Sequence, residues 1–197
     1  MTPLEAALRR IDAELRRARA PFALVGGLAV SARSEPRFTR DADLAVALKS
    51  DAEAEALVRN LRGEGYAIEA VVEQEALGRL ATVRLRSSGD SRAPIIDLMF
   101  ASSGIESEVV ADAEPMELLP ELRLGVARTG HLIALKVLSR DDETRPQDIV
   151  DLRALLRIAS VDELTRARDS LELITSRGFH RGRDLAAEMR KLFRPAD

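Results

Sequence analysis

An α+β fold, a mixed sheet flanked by helices with a helical C-terminal part, is predicted by three observations. Short apolar runs ending at glycines or turn residues recur between Phe22 and Ala127. Amphipathic stretches of helical spacing are interspersed among them. From Thr129 onward every patterned stretch has helical spacing. Residues 1–127 are therefore expected to form the α/β core and residues 128–197 a helical part packed on it, because no Pro/Gly/Ser-rich linker separates the two.

Pro3 to Arg19 carries Leu4, Leu8, Ile11, Leu15 and Ala18 at three- and four-residue steps, flanked by Arg9, Arg10, Arg16, Arg17 and Arg19. These arginines read as a solvated helix face, with nucleic-acid contact as the alternative. Phe22–Val25 suits a buried strand feeding a turn at Gly26-Gly27, and a short helix is expected from about Leu28 to Ser34. After the loop Glu35–Arg40, a strand is expected over Asp41–Leu48. Ser50 or Asp51 offers an N-cap for a helix to about Leu61, ended by Gly63 and Gly65. Tyr66–Val72 and Leu80–Arg86 read as strands. Val83 and Leu85 alternate with Arg84 and Arg86, so one face is wet. Pro94–Phe100 is an apolar strand holding Asp97, and Val109–Leu118 and Leu122–Ala127 are expected as two more strands. His131–Leu138 is a helix containing Lys136. Thr144-Arg145-Pro146 reads as the start of a helix to Ile158. Ser160 to Glu163 has the capping-box pattern, and an arginine-rich helix is expected over Arg181–Phe193.

Hydrophobic residues make up 46% of the 197, enough for a core, but aromatics are only 3%, so that core rests on aliphatic side chains. The net charge of −3 means that nucleic-acid binding would need a local basic patch. The absence of cysteine excludes disulfides and Cys-based zinc sites, and two histidines are too few for a His-rich metal centre. No export signal and no run of membrane-spanning length is apparent, so a cytoplasmic, membrane-free protein is expected.

The chemistry-bearing stretch is Phe22 to Val46. Glycine has no Cβ, so backbone N–H groups at Gly26 and Gly27 can approach a phosphate closely, and a following helix would add its own free N–H groups. In Asp41-Ala-Asp43, alternate residues share a strand face. Two carboxylates on one face repel each other unless a cation lies between them, and hard oxygen ligands suit Mg²⁺ shared with substrate phosphates. Asp97 is a buried-looking charge in an apolar strand and is the candidate third carboxylate of a two-ion site. Its competing reading is a salt bridge to Arg84 or Arg86. Arg37 and Arg40 either hold phosphate or balance the carboxylates. Asp148 and Asp151 lie three apart on a helix, where pairing with Arg145 or Arg153 is the competing reading. Arg177, Arg181 and Arg183 read as a solvated face, with RNA phosphates as the alternative.

The order Gly26-Gly27, Arg37-x-Thr39-x-Asp41-x-Asp43-Leu44, then Asp97, resembles the nucleotidyltransferase superfamily typified by DNA polymerase beta. Leu132-Ile-Ala-Leu-Lys136 followed by Arg145-Pro-Gln-Asp148-Ile-Val-Asp151 resembles its AbiEii/AbiGii toxin-type branch. Gly27 is followed by Leu28 where a serine is common, and position 147 is Gln where a basic residue is common. The resemblance implies that Asp41, Asp43 and Asp97 bind Mg²⁺, and that Gly26, Gly27, Arg37, Thr39, Arg40 and Lys136 contact a nucleoside triphosphate. It also implies that Asp148 or Asp151 orients Lys136 or acts near the acceptor. The implied reaction moves a nucleotidyl group from the triphosphate to a hydroxyl, by preference on tRNA, and the implied partner is a cognate antitoxin. The alternatives are a small-molecule acceptor such as an antibiotic, a protein acceptor, and a catalytically silent nucleotide-binding module.

Overall fold

The computed structural model describes residues 1–74, 78–141 and 146–193. Helix α1 (Pro3–Arg17) starts where Thr2 accepts the Glu5 N–H, and it buries Leu8, Ile11 and Leu15. Its arginines are largely tied down. Arg9 donates to the Pro120 carbonyl at 2.6 Å, and Arg10 donates to the Ser87 hydroxyl at 2.9 Å while stacking 4.6 Å over Tyr66.

The apolar run predicted as the first strand is β1 (Phe22–Val25). Helix α2 (Gly26–Arg33) follows without a break, so the helix begins on the glycines and not after them. β2 (Ala42–Val46) starts one residue later than expected, leaving Asp41 just ahead of the strand. α3 (Asp51–Gly63) is capped by Ser50, and β3 (Tyr66–Gln74) and β4 (Arg79–Ser87) form the expected antiparallel pair. β5 (Ile96–Met99) carries Asp97.

The stretch from Val109 departs from expectation. Val109–Ala111 belongs to a short helix, α4 (Glu106–Ala111), and the strand begins only at β6 (Glu114–Leu119). The paired valines read as strand residues. The local determinant is Glu106, whose carboxylate folds back onto the turn before the helix.

β7 (Leu122–Val126) leads into α5 (Thr129–Ser139), α6 (Pro146–Ile158), α7 (Val161–Ser176) and α8 (Leu185–Lys191). Thr144 and Arg145, expected to start α6, lie outside the described residues. Ser160 caps α7, but the box is not closed. Glu163 accepts from Arg128 at 3.0 Å and from the Gly130 N–H at 2.6 Å, which ties α7 to α5. α8 starts later than expected because Arg181 and Gly182 adopt positive φ and Asp184 caps the helix.

The sheet order is β3-β4-β5-β2-β1-β7-β6, with β2 parallel to β5 and β1 parallel to β7. β2 is thus interior, flanked by β1 and β5. Leu44 and Val46 are buried on one of its faces, while Asp43 and Ala45 point to the other, where α2 and α4 pack against it. One hydrophobic cluster joins the sheet to the C-terminal helices. It includes Ile11, Leu44 and Leu98 together with Leu132, Leu155, Ile174 and Met189.

Candidate active site

Sheet pairing brings two of the expected carboxylates together. Asp43 on β2 stands in register with Asp97 on parallel β5, and Asp97 in turn stands opposite Arg84 on β4. In a sheet, neighbours in register share a face, so Asp43, Asp97 and Arg84 form one row. Burial pushes the Asp43 carboxyl up to about 6, helped by the negative charges of Asp97 and Asp41; Lys136 and a hydrogen bond from the Gly27 backbone act the other way.

Asp97 is 6% exposed and does not stand alone. Arg84 Nε donates to Oδ1 at 2.8 Å and its terminal nitrogen to Oδ2 at 2.7 Å, a bidentate pair. Arg86 goes elsewhere, to Glu69 at 3.3 Å and the Ala93 carbonyl at 3.1 Å. The salt-bridge reading of Asp97 is therefore realised through Arg84, alongside its place next to Asp43. Among the described residues, no group of three or more His, Cys, Asp or Glu side chains is arranged to hold a metal ion with the side chains as they stand.

The glycine turn lies against the same row. Gly26 has φ +63°, and a Cβ there would stand 1.9 Å from Asp43 Oδ2. A Cβ on Gly27 would stand 2.5 Å from an Arg37 terminal nitrogen and 3.2 Å from the Thr39 hydroxyl. Only glycine lets the start of α2 approach these groups so closely. The Thr39 hydroxyl lies 3.5 Å from the Asp41 carbonyl. Arg40 is exposed, with its guanidinium 5.4 Å over the Phe38 ring, so it is not drawn into the carboxylate row.

Lys136 reaches in from α5. Its ammonium lies 2.6 Å from Asp148 Oδ1 and 2.8 Å from Asp151 Oδ2, both on α6. Asp151 is also held by Arg37 at 2.8 Å and by Gln147 at 3.2 Å. Burial would raise the Asp151 carboxyl, but the bonds from Lys136, Gln147 and Arg37 outweigh it and hold the group below the usual carboxylate range. Among the described residues the cations paired with Asp148 and Asp151 are thus Lys136 and Arg37; Arg145 lies outside the described residues. Arg37 joins the glycine turn to α6 by this route.

Other arginines are structural ties. Arg177 bonds Glu108 at 2.6 Å, Arg183 donates to the Leu138 carbonyl at 2.9 Å, and Arg181 donates to the Ser102 carbonyl at 3.4 Å. Sequence reasoning weighed Arg84 only as a competitor for Asp97. It gave no role to Gln147, Glu106, Ser102 or Ser103. The register of β4 on β5 was the signal for Arg84, and it becomes visible only once the strands are paired.

A cavity of about 120 Å³ opens beside Asp43 and Gly26, walled by β2, β5, α4 and α5 and reaching Lys136 and Ser139. The glycine turn at Gly26, the Asp43 carboxylate and Lys136 thus border one space.

The chain matches no curated protein. Among solved structures it is similar to an antigenic nucleotidyltransferase-like protein from Paracoccidioides brasiliensis, at 16% identity, 95% of this chain, 92% of that one and a TM-score of 0.54. It is also similar to the antibiotic-resistance factor ANT(2'')-Ia in complex with adenylyl-2''-tobramycin (17% identity, 87% of this chain and 97% of that one, TM-score 0.52). The lincosamide antibiotic adenylyltransferase LnuA, lincomycin-bound, is similar at 11% identity, 79% of this chain, 98% of that one and a TM-score of 0.50. At these identities the likeness is one of fold, and the fold is that of nucleotidyltransferases. Residues 7–197 match the family described as nucleotidyl transferase AbiEii toxin, type IV TA system, so the chain belongs to the AbiEii nucleotidyltransferase family.

Proposed function

We propose that this protein moves a nucleoside monophosphate from a nucleoside triphosphate to a hydroxyl, in a reaction that depends on a divalent cation. The observation that carries this is the Asp43–Asp97 register beside the Gly26 turn. The donor set fits Mg²⁺: Asp43 is a largely enclosed carboxyl raised by Asp97 and Asp41, and this local surplus of negative charge is what a divalent cation would relieve. Asp41, Asp43 and Asp97 are the residues assigned to hold it, with Asp97 leaving Arg84 to do so. Held there by these residues, a divalent ion would supply charge that acidifies the attacking hydroxyl and offsets the negative charge of the leaving pyrophosphate.

The chain's own groups supply the rest. Backbone N–H groups at Gly26 and Gly27 take the phosphates at the start of α2, the Gly27 N–H leaving the Asp43 carboxyl to do so. Arg37, Thr39 and Lys136 line their path, with Arg40 at its exposed edge. Asp148 and Asp151 hold the Lys136 ammonium in place. In this division residues 1–127 supply the carboxylates and the phosphate turn, and residues 128–197 supply Lys136 and its two orienting aspartates.

The acceptor we assign is an RNA 3′ hydroxyl, by preference on tRNA, and the role that of a toxin paired with a cognate antitoxin. The toxin role rests on the family's description; the RNA acceptor rests on the motif resemblance alone. A cytoplasmic site of action fits the triphosphate substrate, and among the described residues no helix is long and apolar enough to cross a membrane. The test is incubation with labelled triphosphates, total tRNA and aminoglycoside or lincosamide antibiotics. Label on tRNA is expected. Label only on an antibiotic, or only on protein, would replace the RNA acceptor and keep the reaction class.

A further inference from the structure

The cavity beside Asp43 has a buried carboxylate that the proposed chemistry does not use. Glu106 is 6% exposed and lines this cavity. Its Oε1 accepts three hydrogen bonds, from the Ser102 N–H at 2.8 Å, the Ser103 N–H at 2.7 Å and the Ser103 hydroxyl at 2.8 Å. Among the described residues nothing donates to Oε2. Most of the walls are apolar, Val25 and Met99 from the sheet side, Val109 from α4, and Leu132, Leu135 and Leu138 from α5, while Asp43, Lys136, Ser139 and Arg181 also border the cavity. A slot with aliphatic sides and a buried carboxylate, one oxygen of which takes no donor from the described residues, suits a flat ring that carries a hydrogen-bond donor on its edge.

We propose that this cavity takes the base of the nucleoside triphosphate, and that Glu106 Oε2 accepts from an exocyclic amino group on it, the 6-amino group of adenine or the 4-amino group of cytosine. The inference rests on the assignment of the Gly26–Asp43 site to a triphosphate, because the same cavity touches both residues and so places a base within reach of phosphates held at the turn. A base presenting a carbonyl at that position would set its oxygen against the Glu106 carboxylate, which has no donor to offer it. That mismatch is what discriminates between bases.

The test is calorimetry in Mg²⁺ with two matched pairs, ATP against ITP and CTP against UTP, and with inorganic tripolyphosphate as the base-free probe. In each pair the amino-for-oxo exchange is at the ring position in question. The wild type is expected to favour the amino member of at least one pair by about ten-fold; which pair shows it tells purine from pyrimidine. Glu106→Gln keeps an oxygen for the three turn donors and replaces the free acceptor by an NH₂ donor, so the preference should vanish or reverse while tripolyphosphate binding is unchanged. Leu135→Phe, which fills the slot, should weaken all four nucleotides and spare tripolyphosphate. Equal binding of amino and oxo members by the wild type, or a preference untouched by Glu106→Gln, overturns the base assignment and leaves the triphosphate site standing. Failure of every nucleotide and of tripolyphosphate to bind overturns both.

Discussion

Arg84 holds both oxygens of Asp97, at 2.8 and 2.7 Å, and so stands where a cation shared with Asp43 would compete for the same carboxylate. Burial and the bonds to Asp97 act oppositely on Arg84, and the bonds prevail, leaving the guanidinium firmly charged. Arg84→Met should therefore lower metal-free stability by about 1–2 kcal/mol, a modest loss because the arginine is half exposed. It should also enlarge the stabilisation given by Mg²⁺. Thermal unfolding with and without Mg²⁺ reads both; a Mg²⁺ shift equal to that of the wild type would mean that Arg84 does not compete for Asp97.

Lys136 is a counter-ion as well as a proposed phosphate contact, and the two roles separate in a double variant. Lys136→Met leaves Asp148 and Asp151 buried and, among the described residues, with Arg37 as the remaining cation, bonded to Asp151. A loss of about 2–4 kcal/mol is expected in denaturant unfolding. Adding Asp148→Asn should recover part of it by removing the stranded charge. Triphosphate affinity should stay low in both variants. Its recovery with stability would make Lys136 purely structural.

His131 supplies the acid sensitivity; the raised Asp43 carboxyl acts the other way, its contribution being lost as pH rises through about 6. His131 is 3% exposed, and burial pushes its pKa down, with Arg166 acting the same way against Asp112, Glu163 and Glu108. The folded state thus binds the proton less readily than the unfolded chain. Stability contributed by neutral His131 is present above pH about 6.5 and falls as pH drops below that value. His131→Gln should flatten the melting temperature between pH 5 and 7, and an unchanged slope would assign the acid sensitivity elsewhere.

Gly26→Ala meets both a positive φ and the Asp43 carboxylate. It should cost roughly 1–3 kcal/mol and abolish tripolyphosphate binding, because the start of α2 must shift away from Asp43. A variant that binds tripolyphosphate normally would remove the turn from the site.

Much of this arrangement was legible from local pattern. The glycine turn, the two strands bearing Asp43 and Asp97, and the helices bearing Lys136 and Asp148 follow from short-range signals: apolar runs, caps and turn residues. Pairing between distant strands was not legible, because alternation says which residues share a face without saying which strand lies beside which. Arg84 is the clearest instance: it is exposed on the wet face of β4 as expected, but that it and not Arg86 takes Asp97 follows only from the pairing of β4 with β5. Val109–Ala111 failed for the opposite reason. β-branched residues favour strands, but Glu106 closing the preceding turn starts a helix there. Arg177, Arg181 and Arg183 read as a solvated face, yet each bonds groups distant in sequence.

The central claim is that Asp43 and Asp97 form a metal-dependent triphosphate site at the Gly26 turn. The most direct measurement is calorimetric titration of a nucleoside triphosphate into the wild type, Asp43→Asn and Asp97→Asn, each with Mg²⁺ and with a chelator. Mg²⁺-dependent binding by the wild type, lost in both variants while their melting temperatures stay at or above the wild-type value for Asp43→Asn, is the predicted result. Binding by the variants equal to that of the wild type in Mg²⁺ would contradict it.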